Sequence, residues 1–253
     1  MSPDLCKIFG LQITYYGLMV AIGVYWGLMT AQRLARNAGI DPDKVFDLGI
    51  FMIVFAIIGA RLFYIILYFK DFLAHPAAYI FTRAGFVFLG GLACGFSAGI
   101  IFALIKKLPI GILSDVYAPA LALGHAIGRQ GCLLNGCCYG KCVHAGTFFA
   151  THFGEYAADG TAVFRVPTQL WESLGLFIIF ILLSLIAKKK KFNGEVFLSY
   201  VALYSVLRFS LEFFRGDYEK LYILGLTFSQ VIILILLPVI FLIYHLLRKN
   251  EKI

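Results

Sequence analysis

The sequence predicts an all-α polytopic membrane protein with about seven transmembrane helices, and three observations carry that prediction. Of 253 residues, 61% are hydrophobic and only 14% charged, with a mean hydropathy of +0.87, whereas soluble proteins run near one quarter charged. Apolar runs of roughly 18 or more residues recur along the whole length, each able to cross a hydrocarbon core of about 30 Å as a helix. The basic residues gather in short clusters between those runs, where they orient spans and meet anionic headgroups. Within lipid a helix satisfies its own backbone, so the spans are read as helices.

The runs fall at about 12–32, 46–69, 85–105, 112–134, 168–187, 195–214 and 222–247. The first lacks a basic leader and a small-residue cleavage site before Gln32–Arg36, so it is expected to stay in the mature chain. The fourth is interrupted by Pro119, His125 and Arg129, and the fifth opens on Pro167 and Thr168, which suit a helix start. With no internal repeat, low-complexity tract or soluble linker in view, residues 1–253 are read as one membrane domain with an outer loop at about 138–166.

Lys and Arg number 22 against 14 Asp and Glu, a net charge of +8. Their distribution argues against nucleic acid as a partner. Seven spans put Arg33, Arg36, Lys44, Lys106, Lys107, Lys188–Lys191, Arg248, Lys249 and Lys252 on one side. Lys7, Lys70, Arg83, Lys141, Arg165, Arg215 and Lys220 fall on the other. Twelve against seven assigns the C-terminal tail to the cytoplasm and the N-terminus to the outside.

Arg61, Arg129 and Arg208 remain inside the apolar runs or at their outer ends. An arginine at a helix centre opposes insertion by about 2.5–3.5 kcal/mol. Such residues either snorkel, pair for structure alone, or line a polar site. Glu212 and Arg215 follow Arg208 at spacings of four and seven, so RFSLEFFRGD carries a charged stripe, with Asp217 just beyond. Arg129 lies in GHAIGRQGCLLNGCCYG. Glycines there serve close helix packing by themselves, but His125, Arg129 and Asn135 among them point to a site. A guanidinium beside open backbone amides suits a phosphate group, since it offers forked donors and a permanent charge. In VPTQLWE, Gln169 and Glu172 share a helix face, which alone says no more than a helix start.

In this order, TYYGLM with Tyr16 and Gly17, GARLFY with Arg61, GFVFLGGL with Gly90 and Gly91, APALALGHAIGR with Arg129, NG at Asn135 and Gly136, PTQLWE with Gln169, and RFSLEFFRGD with Arg208 and Glu212 resemble the prolipoprotein diacylglyceryl transferase family of bacterial inner membranes. The resemblance implies transfer of the diacylglyceryl group of phosphatidylglycerol to the lipobox thiol of a prolipoprotein, with release of glycerol phosphate and no metal or cofactor. It implies a multi-pass inner-membrane enzyme with its site toward the outer leaflet. Tyr16, Arg129, Asn135, Gly140, Arg208 and Glu212 match positions that matter in the family. Arg129 and Arg208 are expected on the phosphate, with Arg61, Gln169, Glu172 and Arg215 completing the substrate-binding set.

The sequence departs from the family where the chemistry lies. Leu89 stands where His often precedes the glycine pair, and Cys132 and Cys137 replace an Asn and an acidic residue of the signature. Four of the six cysteines, Cys132, Cys137, Cys138 and Cys142, fall within eleven positions and are followed by His144. Their spacing is not a standard zinc pattern. A disulfide, small apolar packing, or a working thiol beside Arg129 are the other readings. Cys132, Cys137 and His125 are accordingly candidates for nucleophile or base. Two further functions stay open at this point: a divergent family member using thiol chemistry through Cys132, Cys137 or Cys138 on another lipid or acceptor, and a membrane transporter, whose usual repeated halves are not found.

Overall fold

The computed structural model describes residues 4–8, 11–81, 85–216, 222–223 and 225–250. Arg83, Asp217, Lys220 and Lys252 lie outside the described residues. In chain order the elements are strands β1 (Asp4–Ile8) and β2 (Leu11–Thr14), helices α1 (Tyr15–Asn37), α2 (Pro42–Leu67), α3 (Phe69–Ala74), α4 (Pro76–Phe81), α5 (Phe88–Ile105) and α6 (Ile110–Asn135), strands β3 (Cys142–Val143), β4 (Thr151–Tyr156) and β5 (Ala162–Arg165), helices α7 (Thr168–Ala187) and α8 (Glu195–Glu212), strands β6 (Tyr222–Ile223) and β7 (Leu226–Thr227), and helix α9 (Phe228–Asn250).

Every predicted run holds a long helix. Six of these, α1, α2, α5, α6, α7 and α9, are long and apolar enough to cross a membrane. Helix α8 is the exception, because Glu195, Arg208 and Glu212 lower its hydropathy. The chain is thus a multi-pass, predominantly helical membrane protein. It also contains strands that the helical expectation omitted: two antiparallel hairpins, β1–β2 and β6–β7, and a three-stranded antiparallel sheet of order β3-β5-β4 inside the outer loop expected at about 138–166. Hairpin β6–β7 is why α9 begins at Phe228 rather than near residue 222.

Helix starts are set by local chemistry. Thr14 Oγ1 accepts the Gly17 N–H at 3.1 Å at the head of α1. Asp41 accepts the Asp43 N–H at 3.0 Å ahead of Pro42 in α2. Thr227 and Gln230 form a reciprocal capping box at α9, with bonds of 3.0 and 3.3 Å. Helix α8 is capped from another helix: the buried Asp115 of α6 accepts the N–H groups of Gly194 at 2.9 Å, Val196 at 2.9 Å and Phe197 at 3.2 Å. Lys190 Nζ sits 3.0 Å from the same carboxylate.

The chain divides into two compact units. The unit of Met1–Thr30 with Ser114–Ile253 has a core of Ala118, Ala122, Ile179, Leu183 and Val196 from α6, α7 and α8. Small residues let α1 lie against α6: a Cβ on Gly23 would stand 2.7 Å from the Gly124 carbonyl oxygen, and one on Gly131 would stand 3.2 Å from that of Tyr16. In the unit Ala31–Leu113, α2 packs along α5 through Gly59, Gly90, Gly91 and Gly95. The glycine pair picked out in the sequence is therefore a packing surface, since a Cβ on Gly90 would meet Phe63 at 2.4 Å.

Candidate functional site

Three helices of the first unit supply the polar groups. His125, Arg129 and Cys132 follow at spacings of four and three along the C-terminal half of α6. Gln169, Glu172 and Ser173 occupy the first turns of α7 and are all buried. Tyr204, Arg208 and Glu212 follow at fours along α8.

Glu172, with a side chain 2% exposed, joins them. Its Oε1 accepts from Arg129 Nη2 at 2.9 Å and from the Tyr204 hydroxyl at 3.1 Å, and His125 Nε2 lies 3.8 Å away. The His125 and Tyr204 rings meet edge-on at 5.4 Å. Arg208 Nη2 lies 3.0 Å from Oε2 of the fully buried Glu212. Glu172 links the two helices, since it accepts from Arg129 of α6 and from Tyr204, which stands one turn before Arg208 on α8. Arg129 Nε and Arg208 Nη1 are buried and make no hydrogen bond among the described residues. Each arginine is thus neutralised by its own carboxylate yet keeps a buried donor unused.

The head of α7 also holds the cysteine segment. Helix α6 ends in a tight reversal, with the Cys137 N–H on the Cys132 carbonyl at 3.1 Å and the Gly136 N–H on that of Leu133 at 3.2 Å. Gly136 at φ +67° and Cys138 at φ +63° both take left-handed backbone, which glycine tolerates and cysteine adopts at some cost. Gln169 Nε2 donates to the Cys137 carbonyl at 2.6 Å, and Thr168 Oγ1 to that of Cys138 at 2.9 Å. Ser173 adds a bond to the Ala126 carbonyl at 2.8 Å and accepts from Gln130 at 2.7 Å.

This reversal brings the sulfurs of Cys132, Cys137 and Cys138 within 4.8 Å of one another. All three are free thiols, as are Cys94 and the exposed Cys142, so the disulfide reading of the cluster is not what the fold adopts. Hydrogen bonds with the Cys132 and Cys138 thiols, then with Asn135, together with the charge of Arg129, hold the Cys137 thiol below its ordinary range against the opposing effect of burial. Tyr16, at the start of α1, is within electrostatic reach of all three thiols and of Arg129.

The other sequence-predicted residues have distinct surroundings. Gly140 is pinned between two segments: its N–H donates to the Val166 carbonyl at 2.8 Å, and it forms an antiparallel bridge with the buried Arg215. A Cβ at Gly140 would stand 2.6 Å from the Phe214 carbonyl oxygen, so only glycine fits. Arg61 belongs to the other unit, where it donates to the carbonyls of Gly85 at 3.0 Å and Ile80 at 3.1 Å and lies by the Tyr64 and Phe86 rings. His144 follows β3, and among the described residues it is not part of the thiol group. Sequence reasoning missed Tyr204, Thr168 and Ser173. Tyr204 was findable, because it lies four residues before Arg208 on the same helix face.

A family model described as prolipoprotein diacylglyceryl transferase matches residues 3–246. The phosphatidylglycerol–prolipoprotein diacylglyceryl transferase of Dehalococcoides mccartyi is 34% identical over 262 residues, covering 99% of this chain and 96% of its own. That of Clostridium novyi is 32% identical over 256 residues, covering 100% of this chain and 97% of its own. That of Finegoldia magna is 34% identical over 228 residues, covering 89% and 88%.

Proposed function

The chain belongs to the prolipoprotein diacylglyceryl transferase family, and from that premise we propose that it moves the diacylglyceryl group of phosphatidylglycerol onto the lipobox cysteine thiol of a prolipoprotein, releasing glycerol phosphate. The single observation that carries the reading is the pair of arginines. Two buried donors, Arg129 Nε and Arg208 Nη1, stand without a hydrogen bond among the described residues. A phosphodiester supplies the acceptor oxygens they lack.

In the reaction the acceptor sulfur attacks the glyceryl carbon, a C–S bond forms, and the C–O bond to phosphate breaks with its electron pair leaving on glycerol phosphate. Negative charge moves from sulfur to phosphate oxygen, toward the arginines. Each charge-assisted hydrogen bond contributes about 1.5–3 kcal/mol, so two that strengthen in the transition state supply about 3–6 kcal/mol. Glu172, Tyr204 and Glu212 hold the guanidinium groups in place. Gln169 fixes the cysteine segment, Asn135 and Tyr16 face its thiols, and Gly140 with Arg215 fastens that segment to the end of α8. Arg61 orders the approach to α5. The acceptor thiol must also lose its proton. A free cysteine has a pKa near 8.5 and is only a few per cent thiolate at neutral pH, so the enzyme needs a device that raises that fraction.

The seven-span reading, with α8 as a span, is supported by the pairing of its charges: Arg208 with Glu212, and Glu195 with the Tyr244 hydroxyl at 2.7 Å. Its other face, with Val206 exposed and Phe213 exposed just past its end, suits lipid. The basic residues then put the C-terminus in the cytoplasm and the site toward the outer leaflet of a bacterial inner membrane.

The test is incubation of the purified protein in phosphatidylglycerol vesicles with a lipobox peptide, read by mass spectrometry. A diacylglyceryl mass gain is expected, with a loss of about 10- to 150-fold in each of Arg129→Ala and Arg208→Ala, the equivalent of one charge-assisted hydrogen bond. No gain beside an active relative overturns the function, and undiminished transfer by both variants overturns the phosphate clamp.

A further inference from the structure

We propose that Cys132, Cys137 and Cys138 bind one Zn²⁺ through three thiolates, leaving its fourth position for the acceptor's cysteine sulfur. The metal site stands on the thiol geometry; its role as thiol activator rests on the transferase reading above.

Three sulfurs within 4.8 Å of one another match the donor set of a thiophilic ion. Tetrahedral zinc with Zn–S bonds of about 2.3 Å sets its sulfurs about 3.8 Å apart, a contraction that rotation of the cysteine side chains provides. The backbone is already shaped for it. Cys132 begins the last turn of α6, and the left-handed residues Gly136 and Cys138 fold the chain back over it. The bonds from Gln169 and Thr168 then hold the carbonyls of Cys137 and Cys138. Ligands supported in this way by neighbouring hydrogen bonds are the rule in metal sites.

Among the described residues no other His, Cys, Asp or Glu joins the group. Zinc sites with three protein ligands keep the fourth position for water or substrate, whereas structural sites are closed by four. Zinc carries no redox chemistry, which suits a displacement in which nothing is oxidised or reduced. Three thiolates on Zn²⁺ leave a net charge of about −1, so a fourth thiolate bound there stays electron-rich and nucleophilic. Cys132 is also one helical turn from Arg129, so a sulfur on the metal lies beside the guanidinium proposed to hold the phosphate.

The step balances without a further reagent. The acceptor S–H gives its proton to water as the sulfur joins the metal. The bound sulfur forms the C–S bond while the C–O bond to phosphate breaks, and its electron pair leaves with glycerol phosphate. The product thioether is neutral, binds zinc weakly and departs.

The experiment uses the full chain in phosphatidylglycerol nanodiscs, with metal content measured by plasma mass spectrometry. Zinc equimolar with protein is expected in the wild type and in Cys142→Ser, and background zinc in Cys132→Ser, Cys137→Ser and Cys138→Ser. Co²⁺ exchanged into the wild type gives sulfur-to-cobalt charge-transfer bands that shift when the lipobox peptide is added. Chelation of the wild type, which requires no substitution, lowers transfer about 30-fold at pH 7, the ratio of full to free-thiol ionisation. The remaining rate then climbs about tenfold per pH unit toward 8.5, whereas the zinc-loaded rate is nearly flat. Restored zinc restores both. Copper or iron recovered in place of zinc, or a disulfide within the cluster of active protein, overturns the site. Zinc bound with transfer and pH profile unchanged by chelation overturns the activation and leaves the transferase standing. Zinc bound and peptide never modified removes both the activation and the transferase reading, and leaves the metal site alone.

Discussion

Glu172→Gln separates a phosphate clamp from a structural ion pair, because only the clamp predicts a larger stabilisation by anionic lipid in the variant. The carboxylate is buried and accepts from Arg129 at 2.9 Å and Tyr204 at 3.1 Å. Glutamine keeps the volume and one acceptor oxygen but removes the charge. Reducing a charge-assisted bond to a weaker one and leaving Arg129 without its counter-ion destabilises the fold by about 2 kcal/mol, below the 3–5 kcal/mol of a pair whose partner is deleted outright. For a chain of this length that is about 4–8 °C in Tm. The same change removes a negative charge on the order of 7 Å from a phosphate bound on the other side of the guanidinium. At an effective dielectric of about 20 this strengthens binding of an anionic lipid by about 2 kcal/mol, or roughly thirtyfold. Thermal unfolding in phosphatidylcholine nanodiscs, with increasing phosphatidylglycerol, reads both terms, since a ligand of the folded state raises Tm with its concentration. The variant is expected to start lower and to gain more from phosphatidylglycerol than the wild type. An equal or smaller gain refutes the clamp.

Three further outcomes follow from other parts of the fold. Gly140→Ala forces a methyl group to within 2.6 Å of the Phe214 carbonyl oxygen and 2.7 Å of Val166 Cβ. It should cost about 1–3 kcal/mol and loosen the cysteine segment, and hydrogen exchange at 138–142 no faster than wild type contradicts that. Asp115→Ala removes the cap of α8 and leaves Lys190 without its carboxylate, for a loss of about 1–2 kcal/mol. Amide exchange at Val196 and Phe197 should accelerate, and unchanged protection there would falsify the capping role. The hydrogen bond with Tyr139 and then the bond and charge of Arg165 hold the Glu155 carboxyl below its ordinary range. A depressed folded pKa stabilises β4–β5 fully above the unfolded value of about 4.3 and loses that contribution as pH falls through the folded one. Exchange in the sheet should therefore accelerate below about pH 4 in the wild type, and Glu155→Gln should abolish the pH-dependent part.

The helices were legible because apolar run length in a membrane is a strong and local signal. The site was legible only in part. Arg129 and Arg208 drew attention by their cost in lipid, but their partners are set by tertiary contacts: Glu172 lies 43 residues from Arg129 and 32 from Tyr204. Glu172 read as a helix-start residue because nothing local shows what its carboxylate faces. The sheet of β3, β4 and β5 escaped because its strands are two to six residues long, too short for alternation to register. Its hairpin turn was readable in Asp159-Gly160, where the Asp159 carboxylate accepts from both the N–H and the hydroxyl of Thr161 at 2.9 and 2.7 Å. The cysteines matched no metal pattern by spacing because the left-handed turn through Gly136 and Cys138, which brings them together, is invisible in the spacing.

If the proposed phosphate clamp holds, pairing each arginine with a carboxylate also sets the kind of anion recognition it provides. A lone arginine opposes insertion by about 2.5–3.5 kcal/mol, and its counter-ion relieves that cost by making the buried pair neutral. With Glu172 and Glu212 in place, Arg129 and Arg208 have no surplus charge to attract a phosphodiester. What they retain is direction: the carboxylate holds one N–H of the guanidinium, and in the proposed clamp the buried N–H without a hydrogen bond among the described residues would meet the phosphodiester. Lysine keeps the charge but presents its donors from a single nitrogen and cannot hold two partners across a rigid plane. Arg129→Lys should therefore insert and fold nearly as the wild type does while losing most of its transfer rate. A lysine variant with full activity would mean that charge alone suffices, and the neutral pairing of the site would lose its functional sense.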